Sequence, residues 1–161
     1  MAGHAKAVAV YDRPFWLEAG LSGDAMSRHG PVVEIHDASP ASGGPYALFG
    51  FIGVPPRARS DQQALRRQIQ AQLIRLFGPE AATPNILCLK DWAYDRLTAT
   101  ELDAQAPHVN SRYGLPRVLN GLWDGDLILA GTEVAPKFGG YLEGALEASE
   151  LALANLGHIE R

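Results

Sequence analysis

Leu127-Ile128-Leu129-Ala130-Gly131-Thr132-Glu133, followed by Gly139-Gly140-Tyr141-Leu142-Glu143-Gly144-Ala145, is the stretch on which the reading of this chain turns. The short continuous apolar run, bounded by Asp126 and Gly131, predicts a strand buried on both faces. A loop carrying Pro136 follows, and then a pattern of helical period. Leu142, Ala145, Leu146, Ser149, Ala152, Leu153 and Leu156 share one face, with Gly157 where a C′ residue belongs. Paired glycines at a helix N-terminus let backbone N–H groups approach a ligand closely, and the helix dipole adds partial positive charge there. The same glycines also fit a flexible loop that holds nothing, and the pattern alone does not choose.

The composition narrows the setting. At 161 residues the chain is long enough for the core of one ordinary domain. Apolar residues at 47% and charged residues at 20% fit a globular protein rather than a disordered one. Lys+Arg 14 against Asp+Glu 18 gives a net charge of -4, with no long basic run, which argues against a nucleic-acid partner. The single cysteine, Cys88, lies in Ile86-Leu87-Cys88-Leu89 and is expected to be a buried small hydrophobe. No apolar run approaches membrane-spanning length, and Ala7 to Val10 is too short for a signal-peptide core. A cytoplasmic protein without a membrane partner is the expectation.

Working back along the chain, Ala5 to Tyr11 is β-prone, and Pro14 breaks it ahead of an aromatic pair, Phe15-Trp16, expected to pack under the sheet. Residues 23–27 and 31–39 read as shorter strands, with Val33, Ile35 and Asp37 pointing one way and Val32, Glu34 and His36 the other. After the loop Ser39 to Pro45 comes the apolar strand Tyr46 to Val54, closed by Pro55-Pro56. Ser60 with Gln63 suggests a capping box for a helix carrying Leu65, Ile69, Leu73, Leu76 and Phe77, ending at Gly78-Pro79. Its Arg66, Arg67 and Arg75 read as a solvated face. Ile86 to Trp92 is a further strand, residues 97–114 are loop-like, and Leu115 to Trp123 is either a short helix or extended before the turn at Asp124-Gly125.

No complete catalytic constellation is present. His4, His29, His36, His108 and His158 share no metal-ligand spacing with one another or with Cys88. There is no Gly-x-Ser-x-Gly elbow, no phosphate-binding P-loop and no strand-initiated Gly-x-Gly-x-x-Gly.

The run LILAGTEVAPKFGGYLEGALEASELAL resembles the C-terminal flavin-binding signature of the FAD-dependent amine oxidases, the monoamine oxidase-like group. AKAVAVYDRPFW, GPYALFGFIGVP, the helix ending LFGPEA and KDWAYD resemble consecutive parts of that family in the same order. The resemblance implies an α+β fold related to α/β proteins. It would consist of a mixed sheet of the substrate domain with flanking helices, plus the final strand and helix of the FAD domain. It divides the chain into a partial substrate domain at 1–123, a flavin-binding strand-loop-helix at 124–157 and a tail at 158–161. The amino half of the family fold, which grips the FAD pyrophosphate, has no counterpart in this sequence, so the chain resembles a C-terminal piece.

By position, the resemblance implies that Lys6 hydrogen-bonds through a water to flavin N5, that Trp92 packs beside the isoalloxazine, and that Gly131, Thr132 and Glu133 are cofactor-binding residues of the FAD site. Without the resemblance Lys6 reads as a strand-edge lysine in solvent and Trp92 as core packing. Gly140, Tyr141, Leu142, Glu143, Gly144 and Ala145 match the helix start beneath the flavin, and Tyr141 matches one wall of the aromatic cage that guides the amine. Covalently flavinylated members carry a cysteine after the tryptophan; Leu97 to Glu101 has none, which implies non-covalent FAD. The implied activity is oxidation of a small amine with O2, giving aldehyde or ketone, ammonia or amine, and H2O2. The implied protein partner is an N-terminal-half chain or a second copy. The alternative is a non-enzymatic interaction protein, or a split-enzyme subunit, on the same scaffold.

Overall fold

In the computed structural model the backbone is described for residues 3–105 and 112–159, with side chains to residue 156. His108, the centre of the 97–114 loop, the His158 side chain and the end of the predicted tail lie outside the described residues. The chain divides into two compact units, Met1–His108 and Val109–Arg161.

The first unit is built on five strands: β1 (Ala5–Tyr11), β2 (Ala25–Met26), β3 (Val32–Asp37), β4 (Tyr46–Ile52) and β5 (Ile86–Asp91). They lie in the order β2-β3-β4-β1-β5, every pairing antiparallel. Strand β1 therefore sits between β4 and β5 although it begins the described chain. Its alternation is strict: Ala5, Ala7, Ala9 and Tyr11 are buried, whereas Lys6, Val8 and Val10 turn to the other, half-open face. Against the buried face lies α2 (Gln62–Phe77), which contributes Leu65, Ile69, Leu73 and Phe77 to the same core. The predicted aromatic pair forms α1 (Phe15–Glu18), with Phe15 and Trp16 both buried. With the helices beside the antiparallel sheet, the α+β class stands.

Four local readings change. First, a bulge between Val32 and Glu34 shifts the register of β3, so Val32 and Ile35 both face the core in place of strict alternation. Gln72, fully buried on α2, accepts from the Val32 N–H (2.9 Å) and donates to the Val32 carbonyl (2.6 Å). Gly30, at φ +102°, makes room for it, since a Cβ there would overlap the Gln72 amide. Second, the cap of α2 is Asp61, whose carboxylate accepts from the Ala64 N–H at 2.9 Å; Ser60 instead turns its hydroxyl to the Arg57 carbonyl.

Third, Cys88 is exposed, not buried. Strand β5 is an edge strand in which Leu87 and Leu89 pack against the core while Ile86, Cys88 and Lys90 face the other way. Fourth, the α2 arginines are not all solvated: Arg66 donates to the Leu87 carbonyl on that edge, and Arg75 to the His29 carbonyl at 2.6 Å. Arg67 alone of the three is exposed without such a bond.

In the second unit the differences are larger. Leu127 to Ala130 belongs to no strand, since no described strand lies alongside to satisfy its backbone groups. Leu127, Ile128 and Leu129 instead line an open depression with Leu115, Leu119 and Asn155. Leu115 to Trp123 becomes a 3₁₀ turn at Arg117–Leu119, followed by a second at Leu122–Gly125. Helix α3 (Leu142–Ile159) is present, but it runs through Gly157 rather than stopping before it. Its buried face is the small-residue row Gly144, Ala148 and Ala152, while Leu142, Leu146, Leu153 and Leu156 are exposed. No helix among the described residues is long and apolar enough to cross a membrane.

Candidate functional site

The half-open face of the sheet gathers the first set of predicted residues. Cross-strand register places Lys6 opposite Phe51 on β4 and opposite Lys90 on β5. The Lys6 ammonium lies 5.3 Å from the Phe51 ring centroid and 5.6 Å from that of Phe49, and those two rings meet edge to face at 4.8 Å. Among the described residues no carboxylate lies within ion-pair distance of it. Its cation is thus held only by aromatic faces, which attract it weakly and leave its three N–H donors open.

Two ammonium groups directly opposite would repel, and the second is drawn aside. Lys90 lies over the Trp92 ring, 4.4 Å from its centroid, and pairs with Asp95. Bonds from Lys90, the Thr98 side chain and the Leu97 N–H hold the Asp95 carboxyl down to about 2, so that pair stays charged at neutral pH. Trp92 is half-buried in a 3₁₀ turn (Trp92–Tyr94) capped by Asp91, which accepts from the Ala93 N–H. An open cleft of about 580 Å³ beside this turn is lined by Lys90, Asp91, Tyr94 and Leu97.

What fixes the turn is a pair that sequence reasoning missed. Arg59 and Asp91 are both buried and meet through two bonds, Nε to Oδ2 at 2.6 Å and an Nη to Oδ1 at 2.9 Å. The same guanidinium donates to the carbonyls of Val54 and Gly3. One Arg among several in the chain carries no mark of this. The signal, such as it is, lies in an arginine after Pro55-Pro56 and an aspartate ending an apolar strand.

The second set lies in the other unit, and there the two halves of the opening motif meet. The 3₁₀ turn Thr132–Val134 packs on α3. The Thr132 hydroxyl accepts from the Gly140 N–H and donates to the Tyr141 carbonyl, both at 2.9 Å. Gly140 has φ +85°, a left-handed conformation that L side chains rarely adopt, at the turn into the helix. Gly144 is also compelled, because a Cβ there would run into the Phe138 carbonyl and the Thr132 hydroxyl. The Glu147 carboxylate reaches back to accept from the N–H groups of Lys137 and Phe138, at 3.2 and 3.1 Å.

The result is a tight turn that delivers the chain into the N-terminus of α3, with Tyr141 and Leu142 exposed at its mouth. Glu133 is exposed, and its carboxylate folds back toward Gly131 without an ionic partner among the described residues. Tyr113, which no motif singles out, lies along the glycine pair: a Cβ at Gly139 would overlap its side chain, and one at Gly140 would come 2.5 Å from its hydroxyl. Thus Gly131, Thr132, Glu133 and Gly140 to Ala145 lie together in the second unit as one lobe, while Lys6 on β1 and Trp92 in its 3₁₀ turn belong to the first. Among the described residues no cluster of His, Cys, Asp and Glu could hold a metal ion.

The lobe's helix start is open and carries the positive end of the α3 dipole, a chemistry suited to an electron-rich or anionic ligand. The sequence contains no Gly-x-Gly turn of the kind that cradles a dinucleotide pyrophosphate. Comparison with known proteins points the same way. Residues 1–154 match the family described as flavin containing amine oxidoreductase. A Dictyostelium discoideum protein named as a probable flavin-containing monoamine oxidase A is 31% identical over 147 residues, covering 89% of this chain and 32% of that protein. A Synechocystis protein named L-amino acid dehydrogenase is 29% identical over 151 residues, 91% of this chain and 31% of that one. Among solved structures, cyclohexylamine oxidase from Brevibacterium oxydans superposes with a TM-score of 0.75 at 26% identity, covering 100% of this chain and 36% of that one. The chain spans about a third of the length of the curated relatives it matches.

Proposed function

Because this chain belongs to the flavin containing amine oxidoreductase family, we propose that it supplies the substrate-facing sheet and the floor beneath the flavin ring of an FAD-dependent amine oxidase. The observation that carries the proposal is the Thr132 bridge, which brings Gly131-Thr132-Glu133 and Gly140-Tyr141 together at an open helix N-terminus. The flavin, when bound, supplies the two-electron acceptor for oxidation of the amine's carbon–nitrogen bond. The complete reaction is then oxidative deamination of a small amine with O2, giving an aldehyde or ketone, ammonia or an amine, and H2O2.

The chain's own residues take separate parts in this reading. Lys6, its donors unclaimed by any carboxylate among the described residues, holds and orients a water on the reacting side. Tyr141, 73% exposed, presents a ring face that positions the amine. Trp92, kept in place by its Asp91-capped turn, is the aromatic that packs beside the flavin ring, and the second wall of the amine cage has no clear counterpart in the sequence. The positive end of the α3 dipole favours negative charge at its mouth, and the backbone there is preorganised rather than reorganised during reaction.

Gripping the pyrophosphate falls to residues this sequence does not contain, so this chain alone is expected to show weak or absent oxidase activity. With no cysteine in Leu97 to Glu101, bound flavin should be released intact on denaturation. Titration with FAD followed by visible absorbance, then acid precipitation, checks this: flavin in the supernatant is expected, and flavin in the pellet contradicts it. Amine-dependent peroxide from this chain alone would overturn the division of labour.

A second reading has one observation in its favour, the exposed leucines of α3, Leu142 (90%), Leu146 (61%) and Leu153 (68%). Contiguous apolar surface of that kind drives association. Under it the chain is an interaction protein or split-enzyme subunit, whose partner is an N-terminal-half chain or a second copy.

A further inference from the structure

We propose that Thr132 and Tyr113 are positioning residues: they set the place of Gly140 and Tyr141 under the flavin ring without touching the cofactor. This rests on the flavin-floor reading above and revises the part the family resemblance implies for Thr132. A threonine hydroxyl carries one proton, and here it is committed to the Tyr141 carbonyl, while a lone pair takes the Gly140 N–H. No donor remains for a ligand. The side chain is β-branched and stiff about χ1, so the hydroxyl holds two consecutive residues at a fixed place. It also fills the space that a side chain at Gly144 would need, with an imagined Cβ only 2.7 Å away.

Tyr113 packs against the same turn. Its ring lies along Gly139 and Gly140, and both glycines lack room for a Cβ because of it. The next residue, Gly114, donates its N–H to the Glu133 carbonyl at 2.9 Å. One short segment therefore ties the Gly-Thr-Glu turn to the glycine pair, with the ring as a wedge and the backbone as a tether. The side chain acts by its bulk: its hydroxyl end is the part nearest Gly140, yet among the described residues that hydroxyl makes no hydrogen bond. Gly140 at φ +85° is thus bonded by the Thr132 hydroxyl and crowded by the Tyr113 side chain.

The test uses two pairs of variants and FMN as the probe, read by quenching of flavin fluorescence. Thr132→Val keeps the shape and removes the hydroxyl; it is expected to weaken FMN binding roughly tenfold, the size of one lost hydrogen bond. Thr132→Ser should recover binding to within about twofold, since the hydroxyl returns. Tyr113→Phe should bind as the native protein does, whereas Tyr113→Ala should weaken binding by a similar factor to Thr132→Val. Amide hydrogen exchange at Gly140 gives a flavin-free readout, expected to quicken in Thr132→Val and return to the native rate in Thr132→Ser. Far-UV circular dichroism confirms that each variant is folded. Native FMN binding in Thr132→Val, equal losses in the serine and valine variants, or unchanged Gly140 exchange would overturn the proposal by itself. Failure of the native protein to bind FMN, with Gly140 exchange still following the hydroxyl, would instead remove the flavin reading beneath it.

Discussion

Arg59→Met is expected to destabilise the first unit by about 3–5 kcal/mol, the usual penalty for breaking a buried ion pair from one side. The Asp91 carboxylate would be left buried beside an apolar side chain, and the carbonyls of Val54 and Gly3 would lose the same donor. Against a typical domain stability of about 5–15 kcal/mol this is a large fraction of the whole. Asp91→Asn should be similarly harmful, because it leaves the guanidinium uncompensated and keeps only part of the Ala93 cap. Urea unfolding followed by far-UV circular dichroism measures both. The double variant Arg59→Met/Asp91→Leu should recover much of the loss, since two well-packed apolar groups avoid the desolvation that the pair has to offset. A double variant as unstable as the sum of the singles would show that the pair is not coupled. The consequence reaches the candidate site, because Asp91 caps the turn that places Trp92.

Trp16→Ala is expected to cost about 3–5 kcal/mol as well, through the cavity left by a fully buried indole. Trp16 meets Phe15 edge-on at 5.0 Å and Tyr11 at 5.9 Å, so its loss opens a cluster rather than a single contact. Its Nε1 also donates to Asp37 Oδ2 at 2.8 Å. Burial pushes the Asp37 carboxyl up, but bonds from the Ser39 side chain, Trp16 and the Ser39 N–H outweigh it and hold the group below its ordinary value. Trp16→Phe keeps most of the volume but removes that donor, so it should cost less than Trp16→Ala and raise the Asp37 pKa. Thermal unfolding checks the first effect, and carboxyl NMR titration of Asp37 checks the second.

The elements legible in the sequence were those whose pattern and cover are local. Strand β1 alternates cleanly and breaks at Pro14, and α2 shows a 3.6-residue apolar period with Gly78 at its end; both came out as expected. Strand faces proved harder where one residue is inserted: the β3 bulge reverses the alternation, and nothing in Val32-Val33-Glu34 announces it. Cys88 and Leu127 to Ala130 illustrate a different limit. An apolar run records a preference for cover, but whether a neighbour supplies it is non-local. At the β5 edge half of that run is uncovered, and beside Leu127 there is no described strand at all.

The same limit explains α3. Its leucine face is the more apolar one in sequence, yet the structure buries Gly144, Ala148 and Ala152, which allow the Thr132–Val134 turn to come close. The helix start and the glycine pair could be read because Gly and helical period carry local meaning. Tyr113 could not, since its contact with Gly139 spans a long stretch of chain and an isolated aromatic before a glycine is a weak signal. The buried Arg59–Asp91 pair shares that difficulty, with the two residues set on either side of α2.

The most direct test of the account is an NMR titration of the native chain with FMN and, separately, with ADP. The chain is held to supply the floor of the flavin ring and nothing for the adenylate end of FAD. FMN should therefore shift amides of Gly131 to Glu133 and Gly140 to Ala145, and ADP at the same concentration should leave them unmoved. Equal shifts from ADP, or no response of that lobe to FMN, would contradict the account and favour a scaffold that only binds protein partners.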